Sequence, residues 1–588
     1  MSAFAPLPRR VSISLSVMVV ALGPSTAVLR GQAIPDPKDV RDDVDAVFAD
    51  YDRTDSPGCA LGVIHDGELV YSHGYGMANL DLGVALDPTS VFRIGSTSKQ
   101  FTAATVVLAE QNGELSLDDD IRTYLPELPE YDTPITIRML LHHTSGVRDY
   151  LSLADLAGLR SDDWYTDREV VELIARQRQT NFPPGTEHLY SNSGYFLLSQ
   201  IIRGATGRTL REYAEEHLFG PLGMTHTHFH DDHTEVVPRR ASGYAPAGDG
   251  FRISMTTLDM VGDGGVFTSV EDLAAWDRNF YEPRVGGRAF LEAMHARGVL
   301  ASGDTLDYAL GLSHGEYRGL RTVDHGGAFV GFRAQMMRFP EHRFTVICLC
   351  NLASTNPTAL AERVADVFLG HLMEPAERMV AEGEAPAPTG EPPSGPGDAP
   401  SGPDPETAVE LSADALSRWA GLYRNVETGA YRRLEMRDGE LTILVGPGYP
   451  LIALSETRFR LDIAPVTFAF EESGGGRGFT LSQPGSESRY EEVEPAVITP
   501  ESARAYTGRY HAEELGVDYV IEANGSELSV RRGRGEPIPL LPTVEGEFTL
   551  AGDLVTFEHP GDGRPRVFTI DAGRVRGIRF VRLEGSEN

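Results

Sequence analysis

Apolar positions recur with helical spacing over Lys99–Gln111 and Asp167–Arg178, and with strand character over Cys59–His65 and Phe344–Leu349. The first half of the chain therefore reads as mixed α and β. Two neighbouring runs, Phe332–Phe339 and Arg343–Cys350, are spaced like the arms of a hairpin. Between residues 381 and 407 all periodicity stops in a stretch rich in Pro, Gly, Ser and acidic residues. Such a composition cannot bury a core and predicts a disordered linker. Beyond it lie short alternating segments and turn pairs such as Asp438-Gly439 and Asn524-Gly525, which predict an all-β region. Ser417–Tyr423 and Ala503–Tyr510 begin alike, each placing Gly-x-Tyr after a short helical lead. The pair reads as a duplicated β module, 411–497 and 500–586, closed as a small barrel or sandwich.

Length and charge narrow the picture. With 588 residues the chain is too long for one core, so the large region 36–373 and the two modules are separate units. A formal net charge of -34 would repel nucleic acid and anionic lipid, and excludes nucleic-acid binding as a function. Arg9 and Arg10 precede an apolar run from Val11 to Gly23, followed by small residues up to Ala33. Residues 1–33 read as a secretory signal peptide, and the run falls short of the roughly 20 residues that span a bilayer. The expected location is periplasmic or extracellular, without stable membrane insertion. Cys59, Cys348 and Cys350 are the only cysteines, and an odd count excludes a disulfide-rich scaffold. All three read as buried small hydrophobes, with room for one bridge from Cys59 to one of the others.

The chemistry centres on Ser96 and Lys99. Their S-x-x-K spacing at the entry to an apolar helix puts both side chains on one face, where the amine can take the hydroxyl proton. The free N–H groups of the helix start favour a developing oxyanion and disfavour a protonated amine. Lys38 and Lys99 are the only lysines among 52 basic side chains. Arginine cannot deprotonate at a useful pH, so a base must stay lysine.

Tyr190-Ser191-Asn192 follows at a turn-rich stretch, and His325-Gly326-Gly327 precedes the hairpin. With these parts in order, and with the stretch Ile135–Gly146, residues 43–369 resemble the serine β-lactamase and penicillin-binding-protein superfamily, in its class C-like branch. The resemblance implies an α/β (α+β) catalytic domain with an antiparallel sheet and a helical subdomain. It implies that Ser96 is acylated, that Lys99 accepts its proton, and that Tyr190 relays protons to the leaving group and the deacylating water. Asn192 would hold the substrate carbonyl or amide. The backbone N–H groups of Ser96 and Ala328 would form the oxyanion hole, with Gly326 and Gly327 allowing close approach. His325 stands where typical β-lactamases carry lysine, exchanging a permanent cation for a titratable donor. The layout resembles the three-domain D-aminopeptidases, in which lipocalin-like barrels follow the hydrolase domain. This implies that the two modules border the cleft and restrict substrate size, with Gly474–Gly478 a candidate reaching loop. Implied substrates are small molecules or short peptides: D-amino-acid amides, D-amino peptides or small esters. No cofactor is implied.

Two other readings compete. His228, His230 and His233, with Asp232, fit a metallohydrolase zinc pattern, and His226 adds an imidazole. No apolar strand precedes the cluster, so it reads as a polar surface loop and no metal is expected. A non-catalytic envelope-binding protein would keep the fold without forming an acyl-enzyme.

Overall fold

The computed structural model describes residues 34–160, 163–375, 408–445, 448–461, 466–473, 476–483, 486–533, 535–558 and 563–583. The expected signal peptide at 1–33 and the linker at 381–407 lie outside the described residues.

The large region, 36–373, is built on a six-stranded antiparallel sheet. Its strands are β1 (Cys59–His65), β2 (Glu68–Tyr75), β3 (Ser313–Tyr317), β4 (Leu320–Phe329), β5 (Phe332–Phe339) and β6 (Phe344–Cys350), in the order β3-β4-β5-β6-β1-β2. β6 is buried at every position and β1 at all but His65, which explains their near-continuous apolar sequence. Helices cover the sheet and form the core beside it: α1 (Lys99–Gln111), α2 (Tyr150–Leu156), α3 (Asp167–Ala175), α4 (Asn192–Thr206) and α5 (Pro357–Leu369). α1 is buried from Lys99 to Ala109 and packs against α4, which stops where Gly207 takes the left-handed conformation, φ 72°. Among the described residues no helix is long and apolar enough to cross a membrane.

Two expectations change. α3 opens with a Thr166–Glu169 capping box but ends at Ala175 rather than Arg178. Gln177 Nε2 instead donates to Glu514 O at 2.9 Å and Arg178 N to Glu514 Oε1 at 2.9 Å, so tertiary bonds take over from the helical ladder. The cysteines are not all plain hydrophobes: Cys59 and Cys350 face each other across β1 and β6 and are bridged. Cys348 remains a buried thiol whose proton burial holds in place.

The trailing region forms two closed eight-stranded barrels, β7–β14 (Gly421–Val493) and β15–β22 (Gly508–Arg582). The repeated Gly-x-Tyr has a common cause. Tyr423 OH donates to Trp419 O at 3.0 Å and Tyr510 OH to Tyr506 O at 2.9 Å, each tying the first strand of its barrel to the lead before it. Leu153, Leu156 and Leu173 of α2 and α3 join the core of the second barrel, and Tyr519 OH donates to Leu156 O at 2.6 Å. The first barrel meets the second through Tyr431 OH, which donates to Glu547 at 2.8 Å.

Candidate active site

Ser96 lies in a 3-10 turn, Gly95–Ser98, immediately before α1 rather than inside it. Gly95 has φ +52°, and a Cβ there would come within 2.8 Å of Ala328 N. A Cβ at Gly327 would meet Ile94 O at 1.9 Å. Gly327 of β4 is thus required by close packing against the turn that carries Ser96, which is a different reason from substrate approach. Gly326 is likewise hemmed in, 2.9 Å from Gln335 Oε1 for an added Cβ. The consequence is that Ala328 N sits beside the turn carrying Ser96.

Lys99 is fully buried, and its Nζ has three polar neighbours. Asn192 Oδ1 at 2.9 Å and Asp263 O at 2.6 Å can only accept, while Ser96 Oγ at 3.3 Å can also donate. Of the three, only the serine hydroxyl can exchange a proton with the amine, and it stands within hydrogen-bond reach of it. Asn192 Oδ1 is therefore taken by Lys99, leaving its amide nitrogen for a substrate. The Tyr190 ring lies 4.7 Å from Lys99 Nζ, and its buried hydroxyl has no hydrogen-bond partner among the described residues. His143 is a support beneath it, with ring centroids 4.2 Å apart and Nδ1 accepting from Ser191 N at 3.2 Å. Burial, reinforced by the Lys99 charge, drives His143 well below the ordinary imidazole range.

His325 departs from its expected part. Its Nδ1 donates to Gly326 O at 2.7 Å, so Nε2 accepts from Tyr308 OH at 3.0 Å. Burial, and then the Lys99 charge, bring it down to about 4. At neutral pH it is an uncharged acceptor, and it replaces the β-lactamase lysine with no cation at all.

These residues line a cavity of about 550 Å³ with Ser96, Tyr190, Asn192, Asp263 and His325 on its walls. Sequence reasoning missed three participants. Asp263 is buried, its Oδ2 accepts from Tyr150 OH at 3.1 Å, and its Oδ1 has no partner among the described residues. Burial pushes its carboxyl up to about 6. The only signal for it was the Gly262–Gly265 glycine turn. Tyr308 was the second. Arg574, from the β21–β22 hairpin (Val567–Ala572 and Val575–Arg582) of the second barrel, was the third. Of the expected reaching loop at Gly474–Gly478, only 476–478 are described, at the start of the strand Gly476–Gln483. Residues 474 and 475 lie outside the described set, and Arg477 is held on its own barrel by Glu492 at 2.9 Å.

The histidine cluster is also rearranged. His228 opens a short strand, His228–Phe229, and His230 is buried, so this is no surface loop. His228 Nε2 and His230 Nδ1 are 3.2 Å apart beside Glu235, whereas His233 is bound to Asp259 at 2.9 Å. The H-x-H-x-D-H triad does not converge, and Arg211 occupies Glu235 with a bidentate pair at 2.7 and 2.9 Å.

A family model described as "Beta-lactamase" matches residues 44–370, more than half of the chain. The chain belongs to the β-lactamase family. This β-lactamase-family protein is a serine hydrolase. It is 29% identical over 487 residues to a D-aminopeptidase of Gluconobacter oxydans (strain 621H), covering 82% of this chain and 84% of the relative. It is 25% identical to a D-aminopeptidase of Brucella melitensis biotype 1, covering 90% and 96%. Its fold is similar to that of the octameric penicillin-binding protein homologue from Pyrococcus abyssi, at a TM-score of 0.54 and 20% identity, covering 85% of this chain and 99% of that one.

Proposed function

We propose that this serine hydrolase is an exported D-aminopeptidase or D-amino-acid amidase working through a Ser96 acyl-enzyme. The observation that carries the chemistry is the Lys99 environment, with two acceptors and the Ser96 hydroxyl around one buried amine. Ser96 Oγ attacks the substrate carbonyl and its proton passes to Lys99 Nζ. The oxyanion rests on the N–H groups of Ser96 and Ala328. Collapse expels the amine, which takes a proton from Tyr190, and leaves an ester on Ser96. Water, deprotonated through Tyr190 and Lys99, then releases the acid and restores the serine.

The substrate class is supported by the D-aminopeptidase relatives, which cover 82% and 90% of this chain. It is supported further by Asp263, a carboxyl on the cavity wall with one oxygen uncommitted. An acyl group with a free α-ammonium would supply the missing partner. Export is supported by the leader-like sequence and by the Cys59–Cys350 bridge, which suits an oxidising compartment.

The test compares D-alanine p-nitroanilide, L-alanine p-nitroanilide, p-nitrophenyl acetate and nitrocefin. The D-anilide should be the best amide substrate. Its turnover should rise through pH of about 6 as Asp263 ionises, and Asp263→Asn should remove that limb. For p-nitrophenyl acetate, which has no amine, the limb should not depend on Asp263. Equal use of the D- and L-anilides, or an acid limb surviving in Asp263→Asn, would refute the substrate assignment.

A further inference from the structure

The β21–β22 hairpin is clamped to the catalytic region by its backbone. Asn181 Nδ2 donates to Arg574 O at 2.9 Å, and Asn181 Oδ1 accepts from Arg576 N at 2.8 Å. The Arg576 side chain pairs with Glu187 at 3.0 Å. One asparagine thus fixes both sides of the turn, which bends at Gly573 with φ +54°. What this geometry delivers is the Arg574 side chain. Its guanidinium lies 4.7 Å from the Tyr190 ring centroid, on the wall of the cavity that holds Ser96.

Among the described residues that guanidinium has no carboxylate within ion-pair distance. Asp149, Asp155 and Asp553 line the groove that continues past it, but each is otherwise disposed. Asp149 accepts from Ser152 N at 3.1 Å and Asn192 N at 2.7 Å. Asp155 lies 3.7 Å from Arg532, and burial holds the Asp553 carboxyl up to about 6. The arginine is exposed, its backbone is fixed by Asn181, its guanidinium lies beside the Tyr190 ring, and with no carboxylate paired to it among the described residues it is open to an anionic ligand.

We propose that Arg574 is a subsite for the α-carboxylate of the departing amino acid, so that D-aminoacyl dipeptides with a free carboxylate are preferred over the corresponding amides. The inference rests on the D-aminoacyl reading above. In a dipeptide the carboxylate oxygens lie within about 4 Å of the scissile nitrogen. A nitrogen receiving its proton from Tyr190 therefore places that carboxylate at the flank of the ring where Arg574 stands. The planar guanidinium fork matches a carboxylate in two hydrogen bonds.

The measurement is kcat/KM for D-alanyl-L-alanine and for D-alaninamide in the full-length wild-type, Arg574→Gln and Arg574→Lys proteins. The dipeptide-to-amide ratio should fall about tenfold in Arg574→Gln, chiefly through KM, and recover in part in Arg574→Lys. A ratio unchanged in Arg574→Gln overturns the subsite while leaving the D-aminoacyl reading in place. If the wild type cleaves neither D-compound although Ser96 still takes a fluorophosphonate, the D-aminoacyl reading itself fails and the subsite with it.

Discussion

The two barrels share strand number, closure and the tyrosine that ties the first strand to its lead, yet they stand in different relations to the site. The core of the first barrel is its own, a cluster of Trp419, Tyr423, Phe459, Phe470, Phe479 and neighbours. The core of the second runs on into α2 and α3 through Leu153, Leu156 and Leu173, and its last hairpin supplies a wall of the cavity. One fold thus serves as a satellite in one copy and as part of the wall of the Ser96 cavity in the other. What separates them is a few residues at a seam and one hairpin turn, which shows how little of a fold its function needs.

The largest difference should appear at ion pairs. Arg148 pairs with Glu514 across the seam at 3.0 Å, with its own side chain only 2% exposed. Glu514→Ala strands that cation and should cost about 3–5 kcal/mol, seen as a lower melting temperature for the docked second barrel. The matching cut in the first barrel, Glu492→Ala opposite Arg477, removes a pair whose side chains are 26% and 29% exposed. It should cost about 1 kcal/mol or less. Equal losses would mean that the buried seam pair matters no more than a part-exposed pair within a barrel.

Apolar contact across the seam comes next. Leu156→Ala opens a cavity in a core shared by helix and barrel, for a loss of about 2–4 kcal/mol. It should also relax the preference between small and bulky substrates, because the hairpin bearing Arg574 belongs to the barrel so loosened. Stability lost with selectivity intact would detach the hairpin from the seam.

The smallest effect is one the barrels should share. Tyr423→Phe and Tyr510→Phe each delete one buried hydrogen bond to a lead residue and should each cost about 1 kcal/mol, measured by denaturant unfolding. A cost confined to one of them would show that the repeated Gly-x-Tyr does not do the same work twice.

Local chemistry and pattern were legible in the sequence. The Ser96–Lys99 spacing, the strands Cys59–His65 and Phe332–Phe339, and the paired barrels follow from periodicity and motif order, which act over a few residues. What was not legible depends on who arrives from far along the chain. Arg574 reaches Tyr190 from 384 positions away, and nothing in a Gly-Arg turn announces it. Asp263 carries no motif, and its raised carboxyl comes chiefly from burial, with the Asp149 charge adding to it. His325 read as a proton donor because its partners, Gly326 O and Tyr308 OH, are a matter of folded geometry. The histidine stretch, read as a polar surface loop, proves partly buried for the same reason: spacing put His233 with the pair, whereas folding put Glu235 there.

The central claim is that the buried Lys99 amine is the base that takes the Ser96 proton. Lys99→Arg keeps the charge and the helix propensity but removes the capacity to deprotonate. The measurement is the rate at which Ser96 is acylated in Lys99→Arg, taken beside its melting temperature. A general base of this kind contributes about 10²–10⁴ in rate, so acylation should fall by at least that much in a protein that still folds. Near-normal acylation in a stable Lys99→Arg protein would contradict the lysine-base mechanism.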